Sequence, residues 1–305
     1  MEALLLDPND VVADGTLALV EIHILDNYVT DWAQQRAEFY DATGTPMVWF
    51  DGTVVVAGAT SFPYTYMTYL TRYNQRRAVP TDVTLSVTAE QLSGPTFTLR
   101  ARVGVEAGGT GKTLRAYMVA VLAHWPPIPA DSHNAFRTAA TTADVTLLPG
   151  EIAVVERELT FDEIAWAAPE DIRIIAWAQE PQGSASPSDP ATVYQAAVLP
   201  WPFPPDCNAN GVADPQDIAD GTSADVNGNE IPDECEVWVG DLNCDSTVDF
   251  RDINPFVLYL TDFPAWQSAF PECNAANGDI NGDGTYGQGS FGDINPFVTL
   301  LMGKS

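Results

Sequence analysis

The chain has 305 residues, 46% of them apolar, enough for two or three domains with real cores. Acids outnumber bases 42 to 13, a net charge of −29, which excludes nucleic acid as a natural partner because phosphate would be repelled, and favours cations or solubility at high salt. No apolar run approaches the roughly 20 residues that cross a bilayer, and MEALLLDPND lacks the basic start and long apolar run of a signal peptide.

In chain order, LALVEIHI at 17–24 predicts a buried strand, and TDWAQQRAEFYDATG at 30–44 a helix ending at Gly44. TPMVWFDGTVVVAG predicts two strands joined at Asp51–Gly52, because Asp-Gly accepts the positive φ of a tight hairpin. SFPYTYMTYLTRYNQRR is a helix with an aromatic stripe. Strand, helix, hairpin and helix, with GTPMVWFDG in the hairpin, resemble the C-terminal half of a thioredoxin fold over 1–78. The resemblance implies a cis-proline at Pro46, after Thr45. It also implies a CxxC just before the first helix, about where this chain reads MEALLLDP, yet no cysteine precedes Cys207. Disulfide exchange needs a thiolate nucleophile, so this chain as it stands is not expected to perform it. Met1 is then expected to be an internal start or truncation that removes signal, first strand and CxxC together.

Residues 79–200 change texture. VTLSVTAE, FTLRARVGVE, LRAYMVAVLA, DVTLLP, EIAVVERELT, IRIIAWAQE and VYQAAVL predict seven short strands of an antiparallel, immunoglobulin- or fibronectin-like β-sandwich. His124 and His133 fall in the loop HWPPIPADSHN without partners at ligand spacing and read as exposed. WPFPPD at 201–206 reads as a stiff proline linker. Nucleophile elbows, P-loops and HExxH are absent, and no catalytic residue is assigned.

The last hundred residues form an acidic module, with 18 acids against 2 bases. A calcium loop places side-chain oxygens at positions 1, 3, 5, 9 and 12 and a carbonyl at 7. Four stretches test against that spacing. Loop A is Asp206, Asn208, Asn210, Val212, Asp214 and Asp217; loop B is Asp225, Asn227, Asn229, Ile231, Asp233 and Glu236. Loop C is Asp241, Asn243, Asp245, Thr247, Asp249 and Asp252, with apolar Val248 at position 8. Loop D opens with Asp279, Asn281, Asp283 and Thr285; an insertion, YGQGSFG, then makes its closure on Asp293 less regular. Position 6, usually glycine, is Gly211 in A and Gly284 in D, but Glu230 in B and Ser246 in C. Taken singly such stretches are turns; four, with position 12 filled at regular spacing in three, predict Ca2+ as the cofactor. A loose metal-free tail ordered by the ion is expected, because uncompensated carboxylates repel one another.

After loops C and D comes the same segment, DINPFV, starting a short helix with proline in its first turn. Phe256, Val257 and Leu260, and Phe297, Val298 and Leu301, are expected to form the two apolar faces. Two such loop–helix units over 240–303 resemble a dockerin module, in the DINPFV-bearing variant of secreted planctomycete proteins. DCNANGVADPQDIADGTSADVNGNEIPDECE, over 206–236, resembles the DCNGNGxPDEC repeat of those proteins, related to thrombospondin type 3 calcium repeats.

The four cysteines, Cys207, Cys235, Cys244 and Cys273, all lie in this module, and their even number indicates disulfides and an oxidising compartment. The repeat resemblance implies Cys207–Cys235, leaving Cys244–Cys273; a zinc site built from all four cysteines lacks any CxxC spacing.

The fold class expected is multidomain α/β plus all-β: a truncated thioredoxin-like domain, an immunoglobulin-like sandwich, and calcium-loop repeats with a dockerin-like helix pair. The function expected is a secreted or cell-surface, non-catalytic calcium-binding protein whose tail attaches it to a partner. The resemblance implies a cohesin-like or cell-surface protein as that partner, and a glycan is a further possibility for the sandwich. Two alternatives stand beside it: a truncated thiol–disulfide oxidoreductase with CxxC upstream of Met1, and a carbohydrate-binding or polysaccharide-degrading component.

Overall fold

The computed structural model describes residues 17–23, 29–42, 44–125, 134–225, 230–245, 247–271 and 273–302. The chain divides into two compact units, Met1–Pro205 with Ala209–Val212, and Asp206–Asn208 with Ala213–Ser305. Antiparallel sheets and helices are both present, as a mixed α/β and β chain requires.

Unit one begins with helix α1 (Asp31–Phe39), capped by Thr30, whose hydroxyl accepts from Ala33 N–H at 3.1 Å. It ends short of the predicted Gly44. Asp41 adopts φ 48°, and Ala42 N–H reaches back to Ala37 C=O at 2.9 Å, a C-terminal cap in which an aspartate takes the usual glycine role. Strands β1 (Met47–Phe50) and β2 (Val54–Ala57) form the predicted hairpin, with Asp51 at φ 47° and Gly52 at φ 64° in its turn. The Thr45–Pro46 peptide is cis. Helix α2 (Phe62–Arg77) lays Tyr69 and Tyr73 against Phe50 in a small core of their own.

The strand predicted at 17–24 does not form over 17–23, and Ile24 lies outside the described residues. Only Glu21 makes a bridge, exchanging hydrogen bonds of 2.9 Å with Asn134 C=O and Phe136 N–H. The alternating Ala18, Val20 and Ile22 pack side chains onto the sandwich instead of pairing in the hairpin's sheet.

The sandwich has eight strands: β3 (Val83–Ser93), β4 (Thr96–Val105), β5 (Lys112–Leu122), β6 (Ala135–Ala139), β7 (Ala143–Leu147), β8 (Ile152–Thr160), β9 (Ile172–Gln179) and β10 (Val193–Pro200). Seven are legible in the sequence; β6 is not, being short and without clean alternation. One sheet runs β3-β4-β8; the other runs β10-β9-β5-β6, with β7 also pairing β5. Between β8 and β9 lies a single helical turn, α3 (Glu163–Trp166), capped by Asp162, whose Oδ1 accepts from Ala165 N–H at 2.7 Å. Along β4, Phe97, Leu99, Ala101 and Val103 point into the core, while Arg100, on the other face, is buried and pairs with Glu90 and Glu156 at 2.8 Å. Strands β5 and β9 are apolar on both faces. Leu114, Met118, Ile172 and Ile174 enter the sandwich core, while Tyr117, Val119, Ile175 and Trp177 pack beneath α1. This is why they read as near-continuous apolar runs rather than clean alternation. The linker reading of WPFPPD is corrected in part: Trp201 and Phe203 join Phe97, Phe161 and Trp166 in an aromatic cluster of the sandwich core.

Unit two holds α4 (Asp214–Asp220), α5 (Ile253–Thr261), α6 (Phe263–Ala269) and α7 (Ile294–Met302). Its core joins Phe256, Tyr259, Leu260, Trp266, Phe297 and Leu301, with Phe256 and Phe297 rings 4.2 Å apart. Val257 and Val298, expected on this face, are exposed. One residue is about 100° of helix, so each valine turns away from its phenylalanine and aligns with Ile253 or Ile294 one turn earlier. Helix α6 is an addition to the expected elements; Trp266 fills the core, and its Nε1–H donates to Leu242 C=O at 3.0 Å.

Candidate metal centres

Loops C and D share one device. Asp252 is fully buried, and its Oδ1 accepts from Leu242 and Asn243 N–H at 2.9 and 3.1 Å. Asp293, also fully buried, accepts on Oδ1 from Ile280 and Asn281 N–H at 2.8 and 2.9 Å. Each closing aspartate thus ties down the second and third residues of its loop, in D despite the insertion. That insertion tucks under α5: Gly287 lies against the Phe263 ring, and Gly289 N–H donates to Leu260 C=O at 3.1 Å.

The interior of each loop is Asx-turn geometry. In C, Asn243 Oδ1 accepts from Asp245 N–H at 2.9 Å, and Asp245 Oδ1 from Thr247 N–H at 3.0 Å. In D, Asn281 Oδ1 accepts from Asp283 N–H at 2.8 Å, and Asp283 Oδ1 from Thr285 N–H at 2.8 Å. Asp279 accepts from Asp283 and Gly284 N–H at 3.0 and 2.9 Å. The Thr285 N–H holds the Asp283 carboxyl below the usual range; in C, Arg251 does the same for Asp249.

At position 6 the chain takes left-handed backbone at Gly211 (φ 81°), Glu230 (φ 68°) and Gly284 (φ 76°), so the glutamate of loop B adopts the conformation its position demands. Ser246 lies outside the described residues. So do Asn227 and Asn229 of loop B. What is described of B is Asp225 Oδ2 accepting from Glu230 N–H at 3.0 Å, and Asp233 N–H donating to Ala224 C=O at 2.8 Å. Glu236 is half-buried and Ile231 exposed.

Loop A is divided: Asn210 and Val212 fall in unit one, where Val212 N–H donates to Asn210 Oδ1 at 2.7 Å. Within unit two, Asp206, Asp214 and Asp217 are all buried. Cys207 N–H donates to Asp214 Oδ1 at 2.9 Å, so position 9 rather than 12 holds the loop's start. Asp217 Oδ1 accepts from the Thr222 hydroxyl at 2.7 Å.

Glu234 joins this group from outside the expected ligand set. Its Oε1 accepts from Asn208 Nδ2 at 3.1 Å and from the Ser223 hydroxyl, while its Oε2 is buried with no hydrogen-bond partner. Burial first, then the charges of Asp206, Asp217 and Glu234, push the Asp214 carboxyl up from its ordinary value. The signal lay in the cysteines: Cys235 pairs with Cys207 at a Cα separation of 5.9 Å, bringing Glu234 to loop A. Cys244 pairs with Cys273 at 5.6 Å. The sulfurs of Cys207 and Cys235 lie within 4.8 Å of the Asp214 carboxylate, but in a disulfide they offer no thiolate.

The donors gathered here are hard oxygens, the set that suits Ca2+ rather than zinc. Asp293 supplies the plainest fit: fully buried, it has one oxygen, Oδ2, without a hydrogen-bond partner. In unit one, His124 is exposed as expected and meets Asp171 at 2.7 Å; His133 lies outside the described residues.

No protein-family model matches the chain, and no curated protein matches it. Among solved structures, HBP35 of Porphyromonas gingivalis matches at 15% identity with a TM-score of 0.42, over 59% of this chain and 62% of that one. A β-glucosidase from Kluyveromyces marxianus matches at 10% identity with a TM-score of 0.23, over 39% of this chain and 14% of that one. The chain therefore spans less than two thirds of either.

Proposed function

We propose that this is an extracellular, non-catalytic calcium-binding protein whose C-terminal unit is an ion-ordered attachment module of dockerin-like type. The observation that carries the reading is Asp293: a fully buried carboxylate at the end of an oxygen-rich loop, with Oδ2 unpartnered. Leaving such an oxygen unmatched costs free energy that a bound cation recovers. Asp279, Asn281, Asp283 and Thr285 would hold Ca2+ with Asp293 in loop D; Asp241, Asn243, Asp245, Thr247, Asp249 and Asp252 would do so in loop C. Loops A and B would add Asp206, Asn208, Asp214, Asp217, Asp225, Asp233 and Glu236, and Glu234 joins the first of these groups. The ion supplies charge neutralisation and order, and no step of bond chemistry is assigned to it.

Attachment is supported by a duplicated surface. Phe250, Ile253 and Val257 are exposed at one helix start, and Phe291, Ile294 and Val298 repeat them at the other. Two disulfides agree with an oxidising, extracellular setting, and no described helix is long and apolar enough to cross a membrane. The test is a calorimetric Ca2+ titration of the whole chain with circular dichroism alongside. Uptake of three or four ions with a gain of helix is expected; no heat and no ordering at millimolar Ca2+ would refute the reading.

A further inference from the structure

Loops C and D are copies, yet they are not charged alike. Arg251, one residue before the closing Asp252, corresponds to Gly292 before Asp293. Apart from Lys304, which lies outside the described residues, Arg251 is the sole lysine or arginine after position 205, and no histidine occurs there. Its guanidinium spans two of the six expected ligands of loop C. Nη1 lies 3.0 Å from Asp245 Oδ2; Nη2 lies 2.9 Å from Asp249 Oδ2; and Nε donates to Asp249 Oδ1 at 3.1 Å. The closing residue differs as well. Asp252 Oδ2 accepts from Asp249 N–H at 2.8 Å, whereas Asp293 Oδ2 has no partner. In loop C the carboxylates of Asp245, Asp249 and Asp252 are met from within the chain, whereas in loop D no cationic side chain reaches the corresponding aspartates among the described residues.

We propose that Arg251 is a tethered counter-ion of loop C, competing with Ca2+ for Asp245 and Asp249, so that loop D is the tighter site and loop C the weaker one that fills later. This rests on the calcium reading above. A cation already seated between positions 5 and 9 must give way before a second can use the same oxygens. Its displacement subtracts from the affinity, while in its absence the loop would carry its negative charges unopposed. A graded module follows, in which one copy is ordered at low Ca2+ and the other only at higher Ca2+.

The test is calorimetric titration of the full chain with CaCl2, comparing wild type, Arg251→Gly (the residue its twin carries) and Arg251→Gln, each with and without Asp252→Asn. Far-ultraviolet circular dichroism checks that each variant is folded. Arg251 is exposed on the loop, so neither substitution removes core packing. Both are expected to tighten one site by about threefold to tenfold, the range for losing two exposed ion pairs, and Asp252→Asn is expected to abolish that gain. Unchanged or weakened affinity in both variants, with wild-type Ca2+ uptake intact, overturns the counter-ion role alone. Absence of Ca2+ uptake in the wild type overturns the calcium reading and this proposal with it.

Discussion

Gly278→Ala is the substitution whose consequence can be worked furthest. A Cβ at 278 would overlap Cζ, Cε1 and the hydroxyl of Tyr259. Tyr259 cannot simply move. It is fully buried, its hydroxyl donates to Ala275 C=O at 2.7 Å, and its ring meets Trp266 and Phe263 edge-on at 4.9 and 5.3 Å. Burial pushes its phenol up to about 12, so it stays a neutral donor. Overpacking of this kind costs about 1–3 kcal/mol, and losing the hydroxyl bond about 1 kcal/mol more. The damage is placed where it reaches both loops of the repeat pair. Gly278 precedes Asp279 of loop D, and its neighbour Asn277 donates from Nδ2 to Asp241 C=O of loop C at 2.8 Å. Amide hydrogen exchange read on α5 and α7 should show a loss of roughly 2–4 kcal/mol in protection. Adding Tyr259→Leu should recover part of it as a coupling of opposite sign. A change under about 0.5 kcal/mol for Gly278→Ala alone, the size of an ordinary surface substitution, would refute the packing argument.

Arg36→Lys should destabilise unit one by about 2–4 kcal/mol in urea melts, because the buried guanidinium donates to Gln179 Oε1 and to the Tyr40 and Tyr117 hydroxyls amid four aromatic rings, a fork that lysine cannot reproduce. Asp82 should give an acid-sensitive step. The Lys112 hydrogen bond, then Thr110 N–H, depress its folded value below 3.8, so its contribution is present above that value and lost as pH falls through the lower one. Asp82→Asn should therefore lower Tm at neutral pH and converge with wild type as pH falls below the depressed folded value; a constant difference from neutral to strongly acid pH would contradict it. Replacing Cys244 and Cys273 together by serine opens a loop with a sequence separation of 29, which should cost unit two about 3–4 kcal/mol in calorimetric melts, and an unchanged unfolding temperature would tell against the bridge.

Sequence reading succeeds here where one signal has one structural use. Asp51–Gly52 predicts its hairpin because few other residues accept two positive φ angles in succession. Strands β5 and β9 are visible as apolar runs, but that they are covered on both faces is not, because composition cannot say what will lie on a sheet. The alternation at 17–23 reads as a strand and serves as packing, since period-two apolarity fits either use. In the tail, the oxygen spacing is readable, whereas Glu234 is not: it occupies no ligand position of its own loop and reaches loop A through a disulfide that joins distant residues. The valines of the DINPFV helices are expected in the core because a short apolar run blurs a difference of one residue, and one residue is enough to turn a side chain outward.

Where the acids sit distinguishes those paired within the fold from those that the calcium reading assigns to an ion. In unit one several carboxylates are matched: Asp82 with Lys112, Asp144 with Arg115, Asp162 with Arg137, Glu90 and Glu156 with Arg100. Such pairs explain themselves as structure. In unit two, Asp206, Asp214, Asp217, Asp252 and Asp293 are buried in a segment whose one described cationic side chain is Arg251. Burying charge without a compensating cation is among the most expensive things a fold can do, and proteins that do it neutralise the group or bind an ion. Neutral hydrogen-bond donors cannot be the general counterweight to so many buried carboxylates. A bound cation can be, and the surplus of carboxylates over arginine in unit two is the physical ground for expecting order there to follow Ca2+.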